Sequence, residues 1–347
     1  MRRFACDRCG RAAPFEAQEC GTCGAELGYV SDRLAVEVII ATDDAAVYEV
    51  PGDDGRWWRC MNAAWGCNWM LRAAAGDVWS RSCRLTRGRP DEARPESIDA
   101  WMAAEAAKRR LVHQLDSLGL PIEPRASSAP DGLVFDFVHL PDEGAVTGHL
   151  DGVITLDLAE VDDLHRHRVR RELDEQFRTI IGHLRHEIGH HYWNRLVGES
   201  DHLAELRSLF GDDRADYREA ITTHYASGAG QWDTDRYITA YASVHPLEDW
   251  AETFAHYLHI VDATDTAVAH GLVQPSGPAR FDVVSLDLVE ILTRWEPVRI
   301  GINEVAISLG RPAVYPFEPS ELVVEKLSFI HRRVAAHSER GRFYAQQ

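Results

Sequence analysis

Residues 185–193 read Arg-His-Glu-Ile-Gly-His-His-Tyr-Trp, and His186-Glu187-Ile188-Gly189-His190 within them is an HExxH pentapeptide. On a helix, side chains four apart share a face. Two imidazoles so placed can each give one nitrogen to the same Zn²⁺, and Glu187 reaches the water that such an ion activates. Gly189 lowers helix propensity, but a residue without a side chain suits a crowded site. The same pentapeptide also arises by chance on surface helices, and the chain has 17 histidines. The flanks Thr179-Ile180-Ile181-Gly182 and Tyr192-Trp193 argue that this helix is buried, where polar groups need partners.

A catalytic zinc takes three protein ligands and keeps one open position. The third is sought in His245-Pro246-Leu247-Glu248-Asp249-Trp250-Ala251-Glu252-Thr253-Phe254-Ala255. Pro246 suits the first turn of a helix. Glu248 and Glu252 then share a face, and the small Ala251 and Ala255 let this helix pack closely on the HExxH helix. Glu248 fits the form Glu-x-x-Ala that supplies the third ligand in many gluzincin-type peptidases, and it is taken as the ligand, with Glu252 as the alternative. Glu252 otherwise holds a ligand imidazole. The competing reading for both acids is a solvated helix N-terminus, which the helix dipole favours.

In this reading zinc polarises the scissile carbonyl and brings the pKa of a bound water toward ~7. Glu187 takes the water's proton and passes it to the leaving amine. Tyr241, seven residues before Glu248, is the candidate donor to the developing oxyanion, with Tyr237 as its alternative. An ordinary half-buried tyrosine accounts for Tyr241 equally well. His183, His191, His256 and His259 are left unassigned, because a histidine on a helix face is more often structural. The strand Gly152–Leu158 is either an interior strand or a partner for an extended peptide by strand addition.

The seven cysteines all lie in the first quarter of the chain, which in a protein without an export signal points to metal rather than disulfides. Cys6-x-x-Cys9-Gly and Cys20-x-x-Cys23-Gly form two knuckles of a zinc ribbon, closed by four thiolates and therefore structural. A module of ~30 residues cannot build enough core alone, so the metal supplies its stability. Cys60, Cys67 and Cys83, with Asn62, Asn68 and Ser80 nearby, are either a degenerate second ribbon or buried free thiols beside Trp57, Trp58, Trp65 and Trp69. The zinc count expected is one catalytic and one structural ion, with a third if that cluster binds.

Hydrophobic residues at 45% and charged residues at 27% of 347 are those of a globular protein with a sizeable core. No apolar run approaches the roughly 18–20 residues that span a bilayer. The opening Met-Arg-Arg-Phe-Ala-Cys lacks the apolar core of a signal peptide, so the expectation is a cytoplasmic protein with no membrane partner. A net charge of −18 argues against a broad nucleic-acid surface. The charge is uneven, since eight arginines face three acids between Arg56 and Arg94.

The sequence divides into a zinc ribbon at 1–30, a second cysteine-containing, Arg- and Trp-rich module at 31–95, and a domain at 96–347. A helix is expected over Ile98–Leu118, with Ser97 as N-cap and Gly119 as C-cap. Pro121–Pro130 reads as a linker. Strands follow at Leu133–His139 and Gly152–Leu158, with a turn around Thr147-Gly148-His149 between them. Val161–Val197 reads as helical, then a segment from about Asp235 through His259 broken at Pro246, then mostly helix to the end with a break at Pro312–Pro319. The fold class is α+β, mostly helical with a small mixed or antiparallel sheet packed on the HExxH helix.

Phe4-x-Cys6-x-x-Cys9-Gly, Cys67-Asn-Trp69, Glu105-Ala-Ala-Lys-Arg-Arg-Leu111, Thr147-Gly-His149 with Gly152-Val-Ile-Thr155, Arg185-His-Glu-Ile-Gly-His190, Phe210-Gly-Asp212 with Ala215-Asp-Tyr217, Tyr241-Ala-Ser-x-His-Pro-x-Glu-Asp-Trp-Ala-Glu252, Tyr315-Pro-Phe317 and Lys326-Leu327 run through nearly the whole chain. On these stretches it resembles the bacterial zinc-binding metallopeptidases with an N-terminal zinc ribbon, the Peptidase Mx type. The resemblance implies a zincin-like domain and a zinc site at His186, His190 and a downstream Glu, with Glu187 as base, acting on a protein or peptide substrate. It does not hand over a particular substrate. The family commonly shows Cys-x-x-Cys where this chain has Ser80-Arg-Ser-Cys83, one thiolate fewer.

Two other readings compete. One is a nucleic-acid-associated protease similar in logic to SprT-like enzymes, with the Arg56–Arg94 segment as its contact. The other is a non-catalytic protein whose ribbon binds a protein partner, against which the retention of Glu187 speaks.

Overall fold

Thr179 starts the helix that carries the pentapeptide: its hydroxyl accepts from the Gly182 amide at 3.0 Å, as an N-cap does. The computed structural model describes residues 3–90, 95–139, 147–172, 178–198, 201–227, 232–273 and 283–345.

The described residues of the first 90 hold five short antiparallel pairings. Strand β1 (Phe4–Ala5) pairs with β2 (Ala12–Ala13), and β3 (Leu27–Val30) with β4 (Ala35–Val38). Strands β5 (Ile40–Ala41), β6 (Val47–Glu49), β7 (Arg56–Arg59) and β8 (Met70–Arg72) form a meander. These sheets are small, and their core is aromatic: Phe15, Tyr29, Trp57 and Trp69 are buried. The Tyr29 and Trp69 rings lie 4.6 Å apart.

This region is docked on α1 (Pro95–Ser117) by polar as well as apolar contacts. Tyr29 Oη lies 2.7 Å from His113 Nδ1, and Arg110 reaches Glu16 at 2.6 Å. Pro95 opens the helix, where its fixed φ and missing N–H cost least. Ser97 therefore lies inside the first turn rather than at the cap, and its hydroxyl contacts His139 Nε2 at 2.9 Å. Gly119 does end this helix region, at φ +67° in the left-handed conformation that favours glycine.

The sheet of the larger domain has the order β10-β11-β9. Strand β9 (Val134–Val138) runs parallel to β11 (Val153–Asp157), and β10 (Gly148–Leu150) runs antiparallel on the other side. The expected turn at Thr147-Gly148-His149 is thus partly a strand. The expected strand at Gly152–Leu158 is the central one, with both edges filled, so strand addition of a peptide onto it is excluded. Its alternation explains the place: Ile154 and Leu156 are buried on one face.

Helices make up most of the rest. After α2 (Asp163–Glu172) come α3 (Ile180–Trp193), α4 (Leu203–Phe210), α5 (Tyr217–Ser227), α6 (Pro246–Ala269), α7 (Leu288–Ser308) and α8 (Glu321–Ala345). The helix expected over Val161–Val197 is two helices, and residues 173–177 lie outside the described residues. The segment before Pro246 is turns and a single 3₁₀ turn at Tyr241–Ser243, not helix. The reason is local. His245 caps α6 with its own imidazole, accepting from the Leu247 amide at 3.1 Å, and Pro246 takes the N1 position.

Helices α3 and α6 cross in contact, and Gly189 sets their distance. A Cβ there would sit 2.9 Å from Ala251 Cα and 3.1 Å from Ala251 O. Trp250 Nε1 donates to the Gly189 carbonyl at 2.9 Å across the same crossing. On the other side of α6, buried Lys326 pairs with buried Asp249 at 2.6 Å. No helix among the described residues is long and apolar enough to cross a membrane.

Candidate functional site

The close α3–α6 crossing brings together side chains 62 positions apart, as between His186 and Glu248. His186 Nε2 and His190 Nε2 lie 3.2 Å apart. Glu248 Oε2 lies 3.1 Å from the first and 3.5 Å from the second. Oε2 is buried and makes no well-directed hydrogen bond with either ring. Zinc–nitrogen and zinc–oxygen bonds of about 2.0–2.1 Å give a tetrahedron edge of about 3.3 Å, so this triangle has the size of one tetrahedral face.

Glu252 does not join that triangle. Its Oε1 accepts from His186 Nδ1 at 2.6 Å, and its Oε2 accepts from Thr239 Oγ1 at 2.7 Å. A proton held on Nδ1 leaves Nε2 with its lone pair facing Glu248. Two nitrogen lone pairs and a carboxylate oxygen turned on one point repel unless a cation or proton lies between them, and this is the chemical fit of the set to a divalent ion. Burial opposes a charge on His186, but the carboxylates of Glu248 and Glu252 against its two ring nitrogens outweigh it and hold the imidazole pKa well above its ordinary value. Burial likewise opposes charge on Glu248, and the two imidazoles outweigh it and hold the carboxyl well below its ordinary range.

Glu187 is buried beside the triangle. Burial alone would raise its pKa, but His183, 3.2 Å away, together with the charges of His186 and His190, lowers it to about 2. His183 is thereby tied to the carboxylate rather than to the nitrogen cluster. His191, His256 and His259 all point elsewhere: His191 lies against the His149 ring, His256 Nδ1 contacts Tyr315 Oη at 2.5 Å, and His259 Nδ1 accepts from Arg185 at 2.7 Å. Arg185, next to His186 in sequence, is locked in the core by Gln114 and Asp262.

The Tyr241 ring centroid lies 5.8 Å from that of His186, whereas Tyr237 sits under Lys326 with its ring 4.7 Å from the ammonium. Tyr237 therefore lies against the Lys326–Asp249 pair, and Tyr241 against His186. The sequence reading missed Tyr217, whose phenol donates to Glu248 Oε1 at 2.7 Å, and His224, whose ring packs on Tyr241 at 5.7 Å. Tyr217 stands in the quoted stretch Ala215-Asp-Tyr217, the one signal that could have found it. His149 of β10 stacks at 6.2 Å on His190.

In the N-terminal region the sulfurs of Cys6, Cys9, Cys20 and Cys23 all lie within 4.8 Å of one another, with 3.7 Å for Cys6–Cys23 and 3.6 Å for Cys9–Cys20. Four thiolates around zinc at about 2.3 Å stand about 3.8 Å apart. Cys60, Cys67 and Cys83 form a second, buried group with sulfurs within the same 4.8 Å. The arginines of the neighbouring segment are paired: Arg56 with Glu49, Arg59 with Glu26, Arg72 with Asp32 and Asp53, Arg81 with Asp116, Arg84 with Asp77 and Arg87 with Asp136. Arg94 lies outside the described residues.

Comparison with known proteins finds two families along the chain. A family described as "Putative zinc-binding metallo-peptidase" matches residues 97–333, and a zinc-ribbon domain family matches residues 3–94. The chain is 41% identical over 341 residues to "Uncharacterized protein Mb2598c" of Mycobacterium bovis, covering 95% of this chain and 94% of that protein. "Uncharacterized protein Rv2568c" of Mycobacterium tuberculosis is similar to the same 41% over 341 residues, with the same 95% and 94% coverage. No solved structure gives a significant match. With more than two thirds of its length inside one family's boundaries and a ribbon ahead of it, the chain belongs to the zinc-binding metallo-peptidase family.

Proposed function

We propose that this protein is a zinc-dependent peptidase with a zincin-like catalytic domain, in which His186, His190 and Glu248 hold the ion and Glu187 is the general base. The observation that carries this reading is the triangle of His186 Nε2, His190 Nε2 and Glu248 Oε2, with edges of 3.1–3.5 Å. Zinc bound there would polarise a peptide carbonyl and acidify a water.

The protein's own groups supply the rest. Glu252 fixes the tautomer of His186 by taking its Nδ1 proton in a hydrogen bond. Glu187 is held ionised next to the triangle, so it can accept a proton from the attacking water and return it to the leaving amine. Tyr241, beside His186, donates to the oxyanion. The substrate is an extended peptide, and β10, the outer strand of its sheet, presents backbone groups next to His190 through His149. The four-thiolate group at Cys6, Cys9, Cys20 and Cys23 is a structural zinc site, and thiolate sites of that kind suit a reducing cytoplasm. The pairing of the arginines between Arg56 and Arg87 supports a protein or peptide substrate over nucleic acid.

The test is zinc content by elemental analysis on the wild type, on His186→Ala with His190→Ala, and on Glu248→Ala, beside hydrolysis of a mixed peptide library. Loss of one zinc in the double variant, weaker binding in Glu248→Ala and cleavage by the wild type alone are expected. Equal zinc in all three proteins would overturn the reading.

A further inference from the structure

We propose that Cys60, Cys67 and Cys83 hold a metal ion as three thiolates, with the Ser80 hydroxyl at the fourth corner. The argument begins with backbone shape. In the first ribbon each knuckle closes with an amide four residues on bonding back to the carbonyl of its first cysteine: Gly10 to Cys6 at 2.7 Å and Gly24 to Cys20 at 2.9 Å. Arg84 bonds back to the Ser80 carbonyl at 2.9 Å in the same manner. Ser80 and Cys83 thus occupy the two ligand positions of a knuckle, with serine in the first.

The side chains agree with the backbone. Ser80 Oγ lies 3.5 Å from Cys67 Sγ and accepts from the Cys83 amide at 3.1 Å. A tetrahedron with one zinc–oxygen bond of about 2.0 Å and one zinc–sulfur bond of about 2.3 Å has an edge of about 3.5 Å. Cys60 Sγ accepts from two backbone amides, Ser80 at 3.2 Å and Asn62 at 3.5 Å. Amides aimed at a sulfur favour its thiolate form, and buried thiolates need a cation. Ser80 and all three cysteines are buried, so the ion, like that of the first ribbon, is enclosed. An oxygen in one corner binds a borderline-soft ion more weakly than a fourth sulfur does. This ion is therefore released before that of the four-thiolate site.

The experiment uses the full-length chain with Co²⁺ in place of zinc. Sulfur-to-cobalt charge transfer reports only thiolate ligands, so the nitrogen and oxygen donors around His186 add nothing to it and the outcome is independent of the peptidase reading. Intensity for seven thiolates is expected in the wild type and for eight in Ser80→Cys, which also releases its ion to a chelator at least about tenfold more slowly. Intensity for four thiolates in the wild type, with three cysteines still alkylated in the metal-loaded protein after mild unfolding, would overturn the proposal. A Ser80→Ala variant that releases metal at the wild-type rate would remove Ser80 from the fourth corner.

Discussion

Tyr217 Oη donates to Glu248 Oε1 at 2.7 Å, while Oε2 of the same carboxylate faces the two imidazoles. The phenol thus decides which oxygen of Glu248 is turned toward His186 and His190. Tyr217 is 41% exposed, so its ring contributes little to the core. Tyr217→Phe should leave unfolding unchanged and weaken zinc binding at this site by about 10–100-fold. Competition with a chelating dye measures it, and an unchanged affinity would show that Glu248 needs no such restraint.

Glu187 lies beside the triangle without being one of its corners. Glu187→Gln should keep zinc content at the wild-type value and lower the rate of peptide hydrolysis by about 10²–10⁴-fold. The pair of measurements matters, because a variant that loses both zinc and activity would make Glu187 a structural residue.

One substitution should have opposite signs at two helical glycines, one at the α3–α6 crossing and one on a free helix face. Gly189→Ala drives a Cβ into Ala251 and should destabilise the fold by about 1–3 kcal/mol. Gly301, on the exposed face of α7, has nothing within 4 Å of a built Cβ. Gly301→Ala should stabilise by roughly 0.5–1 kcal/mol through helix propensity. Urea denaturation of the two variants reads both signs.

His331 provides a pH dependence away from the His186, His190 and Glu248 triangle. Its Nε2–H donates to the Leu286 carbonyl at 2.8 Å, and its Nδ1 accepts from Tyr257 Oη at 3.0 Å, so the neutral ring is satisfied on both sides. Burial lowers its pKa from the ordinary 6.5, against the pull of the Leu286 carbonyl. The unfolded chain therefore binds a proton below pH 6.5 that the native state refuses. This contribution to stability is complete above that pH and is lost as the pH falls through the depressed native value. Denaturant midpoints between pH 7 and 4 should fall less steeply for His331→Gln than for the wild type, and parallel curves would contradict the assignment.

Glu248 and Glu252 show where reading by residue spacing stops. Their four-residue spacing puts both carboxylates on the face that meets α3, and local geometry cannot say which oxygen enters the nitrogen cluster and which holds His186 from behind. The rotation and approach of α6 decide it, and these follow from Gly189 against Ala251 and from Trp250 bonding to the Gly189 carbonyl. By position Tyr241 was the candidate donor and Tyr237 its alternative. The turns before Pro246 send one under Lys326 and the other against His186.

By itself the sequence determined what depends on short-range spacing. Imidazoles four apart, thiolates three apart and a proline at N1 act through the few residues around them, so their consequences can be written down before any fold is known. Only the tertiary structure decided what depends on elements meeting. It made Gly152–Leu158 an interior strand, tied His183 to Glu187, brought Tyr217 to Glu248 and set Ser80 against Cys67. Those contacts join residues that local rules treat as independent, and their distances are fixed by how closely whole helices and strands can pack.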